Sequence, residues 1–478
     1  MNKRVLMVAW EYPPRITGGL GVASKGLATA LTALGNTVDM VLPRLTGDEE
    51  ETPGINLIDF KKYKNLLSPE EMMRLARKAM YFYKISKGVS AYGQYGEAPE
   101  VSGAWSGLSE SELLKRVNLD FLKNEGLFTG NYSNKIYHEI SVYADWVELL
   151  ASRLDFDIIH AHDWMTYRAA LAAGRVSGKP VVCHVHSTEF DRSGQRVNQF
   201  IYDLEREAFH NSAMNITVSD YTRNILLDRY AVPFEKIRTV HNGVDNKTLK
   251  MYTEDILSGA ENDQDSDSSL ETSKPGKVSK RTPARPKRKI APNEKVVSFV
   301  GRITFQKGPD YFVRAAKRVI ETMGNVRFVM AGTGDMYYRM IDMAANMGIG
   351  SYFHYTGFLD NAGVSKLYST SDLYIMPSVS EPFGITPLEA MLHKVPVIIS
   401  KQSGVSEVVE NAVKIDFWDI NQIADGIVNI LSDPKLYKKL REGGYEEARR
   451  LNWMRPAEKV NMIYDEVLQR AWACNSYN

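Results

Sequence analysis

The sequence predicts an α/β chain built as two doubly wound, mostly parallel sheets, and three observations carry that reading. Its 478 residues exceed what one hydrophobic core usually supports. Short apolar runs recur along it, each ending in a glycine-bearing or polar turn and followed by a helical pattern, which is the rhythm of βαβ units. One stretch nearly free of apolar side chains, residues 255–292, interrupts that rhythm. It divides a first domain, residues 1–250, from a second, residues 293–455, after which residues 456–478 read as a closing helix.

Val5 to Ala9 opens the chain as a buried strand. A turn through Glu11 to Gly21 follows, and Leu27, Leu31 and Leu34 then mark a helix that stops at Gly35. Gly18 and Gly19, at the start of that helix, let backbone N–H groups meet a diphosphate or a sugar, unless they serve only the tight turn. Thr37 to Leu42 is the second strand. Residues 45–135 break the pattern and read as an insertion rich in aromatics, among them Tyr81, Phe82, Tyr83, Tyr92, Tyr95, Trp105 and Phe121. Those rings either stack on sugar faces or pack a small core of their own.

The βαβ rhythm resumes with a helix from Tyr137 to Leu154 and a strand that runs into His160-Ala-His-Asp-Trp164. Strand Pro180 to Val185 places His186 at its end, and Ser219 reads as the N-cap of the next helix. Open α/β sheets hold ligands at the carboxyl ends of their strands, so His162, Asp163 and His186 stand where a ligand is expected. The divider between the domains is acidic from Glu261 to Asp267 and basic from Lys274 to Lys289, and it lacks the apolar side chains to offset the entropy of folding. It reads as a disordered, solvated linker, with contact to anionic lipid as a second reading of its basic half.

In the second domain, strand Lys295 to Val300 enters a turn carrying Arg302 and Lys307, and a helix begins at Pro309. Two cations at a strand's carboxyl end suit a diphosphate. Further units end in Ala331-Gly-Thr-Gly-Asp335 and in Gly357-Phe358. The most informative turn is Ser378 to Glu389. Gly384 lets the backbone approach a ligand closely, the N–H groups of Ile385 and Thr386 at a helix start suit an anion, and Glu381 and Glu389 flank them. That spacing suits one ligand with two hydroxylated ends.

Bulk properties narrow the class. A net charge of +1 argues against a general nucleic-acid binder. Two cysteines make no disulfide framework and have no metal-ligand spacing around them, so a reducing, cytoplasmic setting is expected. No apolar stretch is long enough to span a bilayer, which leaves peripheral membrane contact open. No metal site is expected: Asp155-Phe-Asp157 precedes a strand, and Asp263, Asp265 and Asp267 lie in the charged divider.

Taken in order, Gly18-Gly19-Leu20, His160-Ala-His-Asp-Trp164, His184-Val-His186, Val218-Ser219, Asn242-Gly-Val-Asp245, Gly301-Arg302, Lys307-Gly308, Gly332-Thr-Gly334, Gly357-Phe358 and Glu381-Pro-Phe-Gly through Glu389 carry a resemblance. The chain resembles glycosyltransferase family 4 of the retaining GT-B class, and within it the glycogen-synthase-like members. The resemblance implies two facing Rossmann-like domains, donor on the second and acceptor on the first, with a C-terminal helix crossing back to the first. It implies a hexosyltransferase that moves glucose from a nucleotide-sugar to a glucan without a metal or other cofactor. A lipid or small-molecule acceptor is the alternative, and a nucleotide-sugar epimerase a more distant one.

By position, the resemblance puts Gly19 on the leaving diphosphate and His186 on the donor sugar near the reacting carbon. It puts Arg302 and Lys307 on the phosphates, Glu381 on the sugar hydroxyls, Glu389 on the ribose, Gly357 and Phe358 beside the base, and His162 and Asp163 nearer the acceptor. Two departures bear on the donor. Synthases that use ADP-glucose carry a Lys two residues before the first Gly of the pair, where this chain has Ile16 with Arg15 beside it. They also often lack the second Glu, which is present here as Glu389. UDP-glucose and ADP-glucose therefore both stand.

Overall fold

The computed structural model describes residues 2–16, 18–64, 136–245 and 294–475, together with scattered residues between 67 and 78 and residues 128 and 130. The aromatic run from Tyr81 to Phe121 and the charged divider of residues 255–292 lie outside the described residues.

The first domain is a seven-stranded parallel sheet. Its strands are β1 (Arg4–Val8), β2 (Thr37–Val41), β3 (Ile55–Ile58), β4 (Ile158–His162), β5 (Val181–Val185), β6 (Met214–Thr217) and β7 (Ile237–Thr239), in the order β3-β2-β1-β4-β5-β6-β7. The central strands β1, β4 and β5 are apolar apart from Arg4 and the histidines His160, His162 and His184, and both of their faces are covered. Leu6, Val8, Ile159, Ala161, Cys183 and Val185 pack on one side against helices Ile136–Ala151, Trp164–Ser177 and Gln199–Asn211. Val5, Met7, Ile158, Val182 and Ile216 pack on the other. That second face is closed by helix Gly19–Ala33 and by the last helix, Met454–Asn475, which supplies Ala457, Val460, Ile463, Tyr464 and Val467. The C-terminal helix thus crosses back to the first domain. Trp453 enters where Gly26 has no side chain, since a Cβ on Gly26 would sit 2.3 Å from the indole nitrogen.

The second domain repeats the plan with six parallel strands: β8 (Lys295–Val300), β9 (Val326–Ala331), β10 (Phe353–Gly357), β11 (Leu373–Met376), β12 (Val397–Ser400) and β13 (Val413–Ile415), ordered β10-β9-β8-β11-β12-β13. Each sheet reverses its strand order once, between β1 and β4 and between β8 and β11. Those reversals open a crevice at the carboxyl ends of the strands, where doubly wound sheets bind ligands.

One boundary needs correction. The insertion expected over residues 45–135 does not begin at 45, because Ile55–Ile58 pairs in register with Val38–Val41 as the sheet's edge strand. Phe60 follows it into the core beside Phe128 and Trp146. A four-residue strand with a polar residue inside it, Ile-Asn-Leu-Ile, carries too little alternation to announce itself. Among the described residues no helix is long and apolar enough to cross a membrane.

Candidate functional site

At the first domain's reversal, β1 leads to a helix whose N-cap is Gly18, without a side-chain cap. A Cβ on Gly18 or Gly19 would meet nothing within 4 Å, so this helix start stands open. Its unpaired first-turn N–H groups and the positive end of the helix dipole favour an anion.

Across the reversal, strand alternation puts His160 and His162 of β4 on the same face. The register of β5 sets His184 beside His162, with His186 next along. The four imidazoles form a stack. Ring centroids are 4.5 Å apart for His160 and His162, 4.4 Å for His184 and His186, and 5.1 Å for His162 and His186. Hydrogen bonds lace it together: His160 Nδ1 to the Tyr464 hydroxyl at 2.5 Å, His160 Nε2 to His184 Nδ1 at 3.1 Å, and His162 Nδ1 to His186 Nε2 at 2.8 Å. Burial pushes all four basicities down, His186 to about 3, so the stack is neutral at ordinary pH. His186 is half-buried, while His162 is fully buried behind it.

Ring nitrogens of His160, His162 and His184 lie within 4.8 Å of one another. The rings lie 15°, 24° and 37° from parallel, and His160 Nε2 and His184 Nδ1 face each other at 3.1 Å, a hydrogen-bond distance. The geometry suits mutual hydrogen bonding.

Asp163, next to His162, is buried and holds its backbone at φ +68°. Burial raises its carboxyl to about 6, partly offset by the Arg192 guanidinium 4.0 Å away. That same guanidinium ties Glu189 at 3.2 Å and Glu205 at 2.5 Å.

The second domain's reversal carries cationic side chains. Arg302 is exposed at the end of β8, and a short 3-10 turn, Phe305–Lys307, ends at Gly308 with φ +64°. A Cβ on Gly308 would lie 2.1 Å from the Pro377 carbonyl, so only glycine lets this turn press against the end of β11. That close approach delivers the Lys307 ammonium to within 2.5 Å of Glu381 Oε2, which also accepts from the Ser378 hydroxyl at 3.1 Å.

Gly384, at φ +95°, turns the chain into helix Thr386–Leu392, whose N-cap Ile385 makes no side-chain cap and whose first turn carries Glu389. Glu389 is half-buried, and loss of water raises its carboxyl to about 7. Tyr374 fixes the helix start by donating to Thr386 Oγ1 at 2.8 Å.

Gly357 has φ +73°, and Phe358 beside it is 67% exposed at the end of β10. Gly332 and Gly334 have a packing reason instead, since a Cβ on either would fall 1.8 Å from the Gly301 carbonyl or 2.4 Å from that of Ile303. They brace the loop that carries Arg302.

The two edges meet. Ser380, next to Glu381, donates to Asp191 at 2.6 Å, and Asp191 lies five residues beyond His186. The structure therefore brings the Lys307–Glu381 pair and the His162–His186 pair to one cleft, with Gly18, Gly19, Arg302, Gly384 and Glu389 at the strand ends around it. His160 and His184 stood in the sequence only as parts of their motifs, with no role assigned, and Tyr464 was not singled out. The signal for the two histidines was the alternation on two adjacent strands, two residues back from His162 and His186; Tyr464, on the last helix, had none.

Known proteins match this architecture. A family model described as Glycosyl transferases group 1 matches residues 280–447, and one described as Glycosyltransferase Family 4 matches residues 123–248. Together the two span more than half of the chain. An uncharacterized glycosyltransferase of Methanocaldococcus jannaschii is 27% identical over 437 residues, covering 90% of this chain and 89% of the relative. The glycogen synthase of Mycobacterium tuberculosis is 23% identical over 472 residues, covering 96% and 94%. Among solved structures, sucrose-phosphate synthase from Thermosynechococcus elongatus superposes with a TM-score of 0.67 at 16% identity, covering 98% of this chain and 100% of its own. With two parallel α/β domains meeting at their strand ends, and both family models falling on them in order, the chain belongs to the GT-B glycosyltransferases.

Proposed function

We propose that this glycosyltransferase moves a glucose unit from a nucleotide-glucose to a growing glucan chain with retention at the anomeric carbon. The observation that carries the reading is the Lys307–Glu381 pair at the second domain's reversal, tied through Ser380 to the segment following His186. Similarity to a glycogen synthase along nearly the whole length supports the glucan acceptor.

In this reading the bond from the sugar's anomeric carbon to the diphosphate oxygen breaks as the acceptor oxygen bonds that carbon from the same side. The acceptor proton passes to the departing phosphate. Negative charge grows on the diphosphate, and Arg302, Lys307 and the open helix start at Gly19 supply preorganised positive potential there. Glu381 and the neutral His186 hold sugar hydroxyls, while Glu389 accepts from the ribose. Cationic side chains do here what a divalent cation does elsewhere.

Radiolabelled UDP-glucose and ADP-glucose, each incubated with glycogen, maltooligosaccharide or a lipid extract, test the proposal. Label entering glycogen or maltooligosaccharide is expected. Label entering only the lipid fraction, or none with either donor, refutes it.

A further inference from the structure

Helix Asp220–Tyr230 of the first domain is capped from the other domain. Its N-cap, Ser219, accepts from Thr222 N–H at 3.0 Å in the usual way. The N–H groups of Asp220 and Tyr221 are left over, and both donate to the two carboxylate oxygens of Glu407, at 2.9 and 2.8 Å. Glu407 closes a 3-10 turn, Gly404–Glu407, of the second domain. The same carboxylate lies 2.7 Å from His241 Nε2, on the segment that leaves the first domain. A carboxylate at the positive end of a helix is held by charge and by geometry at once.

The contact is also tight in the backbone. A Cβ on Gly404 would stand 2.5 Å from that of Ser219, so the turn touches the helix start with no room between them. A second tie lies alongside: Tyr221 donates to Ser380 Oγ at 3.0 Å while Ser380 donates to Asp191 at 2.6 Å.

Both ties run into Glu381. Ser380 is its chain neighbour, and the 402–405 segment pairs with it directly, through Glu381 N–H to the Gln402 carbonyl at 3.0 Å and Gly404 N–H to the Glu381 carbonyl at 2.9 Å. The turn holding Glu381 and the turn holding Glu407 are therefore hydrogen-bonded to each other through their backbones.

We propose that Glu407 is a positioning residue for the transfer: by capping helix Asp220–Tyr230 across the cleft, it sets where Glu381 and Lys307 stand relative to His186 and keeps the two domains closed. This rests on the transferase reading above. Arg302, Lys307 and Glu389 belong to the second domain and only the Gly19 helix start reaches the nucleotide from the first, so loosening the cap lowers the rate far more than it loosens nucleotide binding.

The test compares Glu407→Ala and Glu407→Gln with the parent chain. Glu407→Ala is expected to lower kcat about tenfold, an ordinary size for coupling between two sites. Glu407→Gln, which keeps one acceptor oxygen, is expected to fall in between. Dissociation constants for UDP and ADP, measured by calorimetry, are expected to stay within about twofold of the parent values, and the radius of gyration from X-ray scattering without nucleotide is expected to rise. An unchanged kcat, or nucleotide affinity falling together with kcat, overturns the proposal. Should the parent transfer no sugar at all, the scattering still decides: an unchanged radius of gyration overturns the domain tie, whatever the substrate. If Glu407→Ala does not fold, Ser380→Ala, which cuts the neighbouring tie, takes its place in the same comparison, with the same results supporting or overturning the proposal.

Discussion

Replacing Glu389 with Gln is expected to make the protein more stable and less active, and the stability change must depend on pH in one direction. The Glu389 carboxyl rises from the usual 4.5 to about 7 because it is withdrawn from water. Below the lower value the carboxyl is protonated in both folded and unfolded chains and contributes nothing. Between the two values the unfolded chain releases a proton that the folded chain keeps, so stability falls as pH rises, and above 7 the full cost is present. At about 1.4 kcal/mol per unit, that cost is at most about 3.5 kcal/mol. Gln cannot ionise and so escapes it. Thermal unfolding of the second domain, followed at pH 5 and pH 8, reads the effect: the variant is expected to gain several degrees on the parent at pH 8 and much less at pH 5. Transfer moves the other way, because a charged acceptor is lost from the ribose, a change of roughly 1.5–3 kcal/mol for a hydrogen bond to a charged group. A variant whose advantage is equal at both pH values refutes the burial argument. One that is more stable yet fully active refutes the role assigned to Glu389.

Lys307→Ala is expected to lower kcat by at least a hundredfold, about 3 kcal/mol of lost charge stabilisation, with far-UV circular dichroism unchanged. A loss below tenfold removes Lys307 from the proposed chemistry. Tyr464→Phe leaves His160 Nδ1 without its 2.5 Å partner in a fully buried place. It is expected to cost about 1–3 kcal/mol of stability, seen as a lower Tm, with nucleotide affinity at the second domain unaffected.

The two sheets could be read from the sequence because strands covered on both faces are written as plain apolar runs, as in Val5 to Val8 or Leu373 to Met376. The glycine turns after β1 and β8 then marked the strand ends where doubly wound sheets hold ligands. Within the site, what was legible was local: Glu381 and Glu389 sit on one turn, and Arg302 and Lys307 on another. The salt bridge joining those turns spans 74 residues and depends on Gly308 pressing against Pro377. The ties between domains were invisible for the same reason, with Ser380 lying 189 residues from Asp191 and Glu407 lying 187 from Asp220. No periodicity reports a pairing at that distance. Asp163 and His162 were placed at a strand end correctly, but nothing in the sequence told that they would lie beneath the surface, behind His186.

The closing helix has a consequence for how the polypeptide is made. Ala457, Val460, Tyr464 and Val467 complete a core whose other members include Val5, Met7, Leu27, Leu31, Ile158 and Val182. A ribosome delivers the N-terminal half first, yet that half lacks one wall until the final helix emerges. The second domain's core, from β8 through helix Pro434–Arg450, is already in the chain before that last helix is made, so the first domain receives its last wall after its neighbour does.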